Sequence, residues 1–264
     1  MRKSGLILFL GIMTLAGGHA AAAAALTVAE VKAAQEQAGP GKGAALAGKN
    51  LSELDLSGLD LSHADLAGAD LYAARLVGTK LEGANLTGAR LDLAWIIRAD
   101  FTNADLSKVS LFGPVVAMTM AAPAPAEAPR FPGADFSGAR VIARFTGMDL
   151  RGAHFNGAHL GVDMKNQSMG LMRNDFTSAD LTGADFTGAQ LNRTVLAFAK
   201  LNHAKFTGAD LTGVDLSGAD LTGADLTGAD LTEADLAGTI LREVTGLDKT
   251  RGFDKAQHVE RAQR

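Results

Sequence analysis

The sequence predicts an all-β solenoid, in which short extended segments wind into coils and the coils stack on one another. A large apolar residue returns at every fifth position through two long blocks, 46–111 and 171–241. The 264 residues include 31 glycines, and aromatic residues make up only 5% although hydrophobic residues reach 47%. A core of small side chains favours a thin, repetitive structure over a compact globular enzyme.

The recurring apolar residue occupies the central position of a five-residue unit. In an α-helix, successive central residues would rotate by about 140° per unit, which would spread leucine over every face. An extended step that turns at a glycine explains the period, because side chains alternate along a strand. The central residue and the residue two places before it, usually Ala, then face inward, while the Asp and Thr beside the central residue face water.

The unit Ala-(Asp/Asn)-Leu-(Ser/Thr)-Gly occurs in consecutive copies at 219–223 and 224–228. This motif resembles the pentapeptide-repeat family, and the resemblance extends over most of residues 44–241. It implies a right-handed quadrilateral parallel β-helix with four units per coil. Residues twenty apart in the sequence are then expected to stack in one column on the outside.

The N-terminus is typical of a secretory signal peptide over residues 1–25. Two basic residues precede an apolar run over 6–16, a glycine pair ends the run, and small residues follow. The run is too short to cross about 30 Å of hydrocarbon as an anchor. A bacterial periplasmic or secreted protein is therefore expected, with no membrane attachment once the leader is removed.

Short helical caps are expected at both ends, because an open solenoid end invites edge-to-edge association. Residues 27–30 form a capping-box sequence, which predicts an N-terminal capping helix within 26–43. Apolar residues at helical spacing predict a second capping helix within 244–264. The family resemblance also allows the C-terminal end to be a dimer contact, so a homodimer stays open.

The repeat falls into a first block over 44–111 and a second over 131–243, separated by a proline-rich stretch. Because proline cannot donate to a backbone ladder, residues 112–130 are expected to form an extruded loop. Leu111 and Phe131 are twenty residues apart, so a degenerate coil is the alternative. Val141 and Phe145 are only four apart, which opens an irregular stretch over 141–170.

Charges can be assigned to columns if residues twenty apart stack. Asp and Lys alternate in three columns, whereas the pairs Asp210/Asp230 and Asp215/Asp235 lack a basic neighbour. The three alternating columns are Asp60, Lys80 and Asp100; Asp180, Lys200 and Asp220; and Asp185, Lys205 and Asp225. A further column of Asp55, Arg75 and Trp95 predicts a cation–π contact on the only tryptophan, or alternatively a binding hot spot.

Composition and motifs exclude several kinds of chemistry. Without cysteine there is no disulfide, thiol nucleophile, cysteine-ligated zinc site or iron–sulfur cluster. A formal net charge of −4 gives no basic footprint for nucleic acid. The near-match to a P-loop at 43–50 has Asn50 where the magnesium-binding Ser or Thr should stand. We therefore expect no enzyme activity and no cofactor.

The leading hypothesis is an exported, non-enzymatic scaffold that presents a surface to an unidentified protein partner. Its candidate contact residues are Arg75, Trp95, Met118, Met120, His154 and His159. One alternative follows from the family, some of whose members mimic DNA and bind gyrase, but a leader places this chain outside the cytoplasm. Another is a periplasmic copper binder built from the methionines of 118–172, for which gap-filling in an irregular core is the simpler explanation.

Overall fold

The computed structural model describes residues 25–39, 42–118, 124, 126–162 and 173–264. The predicted leader, except Ala25, lies outside these ranges, as does Met120. No helix within the described ranges is long and apolar enough to cross a membrane.

The described chain winds into coils joined by parallel bridges along four columns, which we number as walls. The first wall runs from Ala45 to Thr245, the second from Asn50 to Arg251, the third from Asp55 to Gln257 and the fourth from Asp60 to Gln263. In the regular parts each residue pairs with the residue twenty places later, as Asp60 does with Lys80. Four five-residue units therefore make one coil, as the sequence predicts.

The interior of the coils holds the central residues and the small residues two places before them. Leu216 and Leu221 are fully buried, and Ala219 and Ala224 beside them are also 0% exposed. Each leucine buried in this way contributes roughly 1.5–3 kcal/mol. The inward direction of the five-residue pattern is therefore confirmed.

Phenylalanine replaces leucine in the middle coils, where the rings stack along the axis. The ring of Phe186 lies 4.8 Å from that of Phe155 and 5.0 Å from that of Phe206, with interplanar angles of 4° and 2°. Phe136 stacks on Phe155 in the same way, at 5.0 Å. This column of rings places large apolar area in a bore that is otherwise filled by Leu and Ala.

The acidic residue before each central position builds the turn that follows it. In one unit, Asp225 Oδ1 accepts a hydrogen bond from the backbone N–H of Thr227 at 2.9 Å and from its hydroxyl at 2.6 Å. The Thr227 hydroxyl and N–H hold the pKa of Asp225 below its usual value. The repeated Asp-Leu-Thr sequence is thus a local turn device as well as a solvated surface.

We expect the melting temperature to fall as the pH drops below about 4. A carboxyl with a lowered folded pKa adds stability above its unfolded pKa, and this stability is lost as the pH falls through the folded value. Scanning calorimetry between pH 7 and pH 2.5 measures the effect. The Thr227→Val variant, which lacks one donor to Asp225, should lose less stability on acidification, and an acid response identical to that of the native chain would contradict this role.

The proline-rich region differs from the predicted loop over 112–130. Val115 pairs with Trp95 on the third wall, and Val116 is 8% exposed, so the coil continues through 116. Arg130 then pairs with Asp100 on the fourth wall. The additional residues are inserted between these two walls, so the twenty residues from Leu111 to Phe131 do not form one coil.

A one-residue deletion follows, as the spacing of Val141 and Phe145 indicates. Asp135 pairs with His154, nineteen residues later, and strand β2 (Arg140–Ile142) pairs in parallel with strand β1 (Ser110–Phe112) at this level. Only residues 141–162 of the predicted irregular stretch are described, and the five-residue pattern resumes within them from Phe145.

Helix α1 spans Val28–Ala38 and begins with the capping box that the sequence predicts. The Thr27 hydroxyl accepts from the Glu30 N–H at 3.3 Å, and the Glu30 carboxylate accepts from the Thr27 N–H at 2.7 Å. Val31 is fully buried against the core. The helix therefore covers apolar surface at the N-terminal end of the described coils.

The C-terminal capping α-helix predicted within 244–264 is wrong. The segment forms three short 3₁₀ helices, Leu247–Lys249, Phe253–Lys255 and Val259–Arg261, each preceded by a residue with positive φ. Gly246, Gly252 and His258 interrupt any continuous helix at six-residue intervals. Phe253, Ala256 and Val259 have helical spacing, but they belong to six-residue sides of a wider final coil.

Candidate functional site

The third wall carries apolar side chains at outward positions that other units fill with Asp, Asn, Ser or Thr. They occur in four coils, immediately before or after the central residue: Val77, Trp95, Ile97, Val115, Ala117, Val195 and Ala197. Ile97, Val195 and Ala197 are buried, and the other four are half-buried. Bridges join Arg75 to Trp95 and Trp95 to Val115, and farther along the wall they join Asp175 to Val195. We call this set the apolar strip.

Two exposed hydrophobic residues lie at the corner between the third and fourth walls. Met118 is 72% exposed and Phe198 is 64% exposed, and each follows a central residue by two places. Phe198 adopts φ 57°, and its ring covers the backbone of Gly218 in the next coil. A Cβ at Gly218 would lie 2.5 Å from that ring, so the ring could keep this position only over a residue without a side chain.

Trp95 is half-buried in the strip and stacks against a basic neighbour. The Arg75 guanidinium carbon lies 5.1 Å from the centroid of the Trp95 ring, and Arg75 Nε lies 3.8 Å from Asp55 Oδ2. The predicted column of Asp55, Arg75 and Trp95 is therefore present. Both charged side chains are more than half exposed, so their ion pair adds little stability.

The third wall also contains a break in its ladder and a cavity. Val115 and Arg144 lie on successive coils, but no bridge joins them among the described residues, whereas bridges cross this level on the first wall and the second. A cavity of about 590 Å³ opens there. Its lining combines apolar residues of the coil that contains Val115 with two arginines, Arg144 and Arg173.

Only some of the candidate partner-contact residues predicted from the sequence lie on or beside the third wall. Arg75 and Trp95 lie in or beside the strip, and Met118 lies at its corner. His154 lies on the first wall between Asp135 and Asp185, and His159 lies on the second wall. Met120 lies outside the described residues.

Sequence reasoning missed Val115, Val195 and Phe198 as members of one surface. A signal was present, because a large apolar residue replaces Asp at 115 and 195 and Gly at 198. Their alignment could not be read from a twenty-residue column, since Arg144 pairs with Asp175, thirty-one residues later.

The described donors do not form the copper site considered from the sequence. Met148 is 1% exposed and faces the bore. His159 Nδ1 lies 3.0 Å from Gln190 Oε1, on a different wall from His154. Met164, Met169 and Met172 lie outside the described residues, and no group of three His, Asp or Glu side chains with metal-binding geometry occurs within them.

Acidic columns elsewhere on the rod contain basic partners. Lys80, Lys200 and Lys205 lie 3.3, 3.5 and 3.8 Å from the Asp one coil earlier. The C-terminal coil adds Arg251 Nε at 3.3 Å from Asp230 and His258 Nδ1 at 2.8 Å from Asp235. Arg251 therefore supplies a basic neighbour to the Asp210/Asp230 pair, which corrects the expectation from the sequence, and Asp235 gains a hydrogen-bond partner in His258.

We expect Trp95→Ala to lower the free energy of unfolding by about 0.5–1 kcal/mol, because it removes the cation–π contact with Arg75. Denaturant unfolding followed by circular dichroism measures the loss. Tyr72→Ala is the matched comparison, since the Arg90 guanidinium lies 4.2 Å from the Tyr72 ring on the second wall. If the Trp95 variant is as stable as the native chain, the contact with Arg75 does not stabilise the fold. Partner binding is then the remaining role of Trp95.

The profile described as pentapeptide repeats matches residues 42–71, 50–88, 74–111, 175–213 and 209–245, with 8 copies. These ranges together span more than half of the chain. No curated protein sequence matches the chain.

Among solved structures, HetL, a pentapeptide-repeat protein involved in heterocyst differentiation regulation in the cyanobacterium Nostoc sp. strain PCC 7120, is 28% identical. The alignment covers 90% of this chain and 94% of HetL, with a TM-score of 0.36. The plasmid-mediated fluoroquinolone resistance protein QnrB1 is 21% identical over 82% of this chain and 92% of its own, with a TM-score of 0.36. Rfr23 from the cyanobacterium Cyanothece 51142 is 20% identical over 68% of this chain and 90% of its own, with a TM-score of 0.30.

Proposed function

Because the chain belongs to the pentapeptide-repeat family, we propose that it is a non-enzymatic scaffold that binds a protein partner through its third wall. The observation that carries the proposal is the replacement of Asp and Thr by apolar residues along that wall, with Met118 and Phe198 exposed at its corner. Met118 and Phe198 are the exposed residues of this surface, the strip beside them is half-buried or buried, and large exposed apolar side chains gathered on one surface mark interaction sites.

The composition of the strip supports a protein interface in particular. Trp95 is the only tryptophan of the chain, and Arg75 stacks on it. Tryptophan and arginine are the residue types that dominate binding energy in protein interfaces. The rigid stack of coils holds these residues in fixed positions, which lowers the entropic cost of association.

A DNA mimic that binds gyrase is less well supported. Such a surface needs long uninterrupted negative charge, whereas basic side chains pair with the acidic columns on several walls, as Lys80 does with Asp60. The apolar strip has no counterpart in a phosphate backbone. These observations favour a protein partner recognised by apolar contacts.

Site-specific photo-crosslinking in the native cells tests the proposed surface. Benzoylphenylalanine replaces Phe198 or Met118 at the corner of the third wall, and in a control it replaces Thr212 on the second wall. The proposal expects the same crosslinked protein from both third-wall positions and none from Thr212. Absence of a product at 118 and 198, or the same product from all three positions, would contradict it.

We also propose that residues 1–25 direct export to a bacterial periplasm or the medium. The basic start, short apolar run and small residues of the leader support this proposal. Cell fractionation followed by N-terminal sequencing tests it. A mature protein that begins near the run of alanines at 20–25 is the expected result, whereas an intact cytosolic protein beginning at Met1 would contradict it.

A further inference from the structure

The third-wall cavity has an unusual charge environment for this acidic rod. Arg173, which lines the cavity, is exposed, and its guanidinium forms no ion pair with another described residue. Arg130 and Arg251, by contrast, each lie within 4 Å of an aspartate of the preceding coil. Among the described residues, the cavity therefore carries a positive charge without an ion-pair partner, although the formal net charge of the chain is −4.

Apolar side chains and guanidinium groups both line this cavity. Pro114, Val115, Val116 and Ala143 line one part of it, and Arg144 and Arg173 line another. Its volume of about 590 Å³ lies within the range of ligand-binding pockets. Guanidinium groups bind carboxylates through paired, charge-assisted hydrogen bonds.

The carboxylate in the cavity, Asp175, is already held by other donors. Asp175 Oδ1 accepts from the Thr177 N–H at 2.9 Å and from the Thr177 hydroxyl at 2.6 Å. Its Oδ2 accepts from the Thr146 hydroxyl at 3.1 Å. These hydrogen bonds hold Asp175 within the turn, and none of the described residues forms an ion pair with Arg173.

We propose that the cavity binds a carboxylate side chain of the partner protein, carried on a short apolar segment that lies along the strip. This inference rests on the proposed function and specifies the chemistry of its partner. A segment of chain is favoured over a free small molecule because apolar residues continue on both sides of the cavity. Trp95 pairs with Val115 at one side, and Val195 lines the cavity at the other.

A pair of synthetic peptides tests the inference, with Trp95 emission as the readout. The acidic probe is acetyl-Phe-Glu-Leu-Glu-Phe-amide, and its neutral partner carries Gln in place of both Glu residues. Since Trp95 is the only tryptophan and pairs with cavity-lining Val115, its emission should report binding on this wall. We expect a saturable change with the acidic peptide, binding about tenfold weaker for the neutral one, and loss of affinity as salt increases.

The variant Arg173→Gln should weaken the acidic peptide by about tenfold and leave the neutral peptide unchanged. Arg242→Gln, which removes an exposed arginine from the fourth wall, should change neither affinity. Equal affinity for both peptides, no emission change with either, or equal effects of the two variants would overturn the inference.

Decanoate tests the alternative occupant of this cavity, a free amphiphilic carboxylate in place of a segment of a partner protein. If decanoate changes Trp95 emission with the same affinity as the acidic peptide, the cavity is a site for small amphiphilic anions and the inference about a partner segment fails. Crosslinking at Phe198 without acidic-peptide binding would likewise reject the carboxylate inference while leaving the proposed scaffold function intact.

Discussion

Replacing Phe186 by alanine will lower the free energy of unfolding by about 3–5 kcal/mol. The side chain is fully buried and lies between the stacked rings of Phe155 and Phe206. Truncation removes its apolar area and both ring contacts, and the bore cannot collapse because the coils above and below hold the wall in place. Denaturant unfolding followed by far-ultraviolet circular dichroism measures the loss.

Phe198→Ala is the matched control for that experiment. Phe198 belongs to a unit of the same solenoid, but its ring is 64% exposed at a corner. Its removal should change stability by no more than about 0.5 kcal/mol, as for surface substitutions in general. Equal losses for Phe186 and Phe198 would show that the inward and outward positions are misassigned.

Asn174→Ala will destabilise the chain by about 3 kcal/mol, because it leaves buried backbone groups without partners. Asn174 is 0% exposed and occupies an inward position, two places before Phe176. Its Nδ2 donates to the carbonyl oxygens of Val141 at 2.7 Å and Leu160 at 2.6 Å. Its Oδ1 accepts from the Ala143 N–H at 2.8 Å.

These three hydrogen bonds link the coils where the regular repeat is interrupted, so loss of Asn174 should also expose the surrounding chain to protease. Limited proteolysis of the folded protein, together with denaturant unfolding, measures both effects. Asn202→Ala is the control, since Asn202 is half-buried and hydrogen-bonds to the side chain of Asp220. If Asn174→Ala is as stable and protease-resistant as Asn202→Ala, the polar link is unimportant.

The repeating part of the fold was predictable because each five-residue unit contains the residues that determine its own conformation. The central leucine defines the bore, Ala makes room beside it, and Asp with Thr builds the turn, as Asp225 and Thr227 do. These interactions are local in sequence and recur without change. The columns of Asp60 with Lys80 and of Arg75 with Trp95 follow directly from that regularity.

The parts that could not be predicted depend on interactions between distant units. Register across the insertions is set by pairs such as Asp100 with Arg130 and Arg144 with Asp175, which no fixed period identifies. The role of Asn174 depends on Val141, more than thirty residues earlier. The C-terminal helix was predicted wrongly for another reason. Apolar residues three apart are compatible with an α-helix, but they also occur in a coil whose sides are six residues long.

The account depends most on the register that places both parts of the apolar strip on the third wall. Because the chain has no native cysteine, a double variant Arg144→Cys with Asp175→Cys can be oxidised without competing thiols. These bridge partners lie on adjacent coils about 5 Å apart, within reach of a disulfide. The account predicts rapid intramolecular disulfide formation in this variant and none in Arg144→Cys with Asp180→Cys, whereas preferential bonding of 144 to 180 would contradict it.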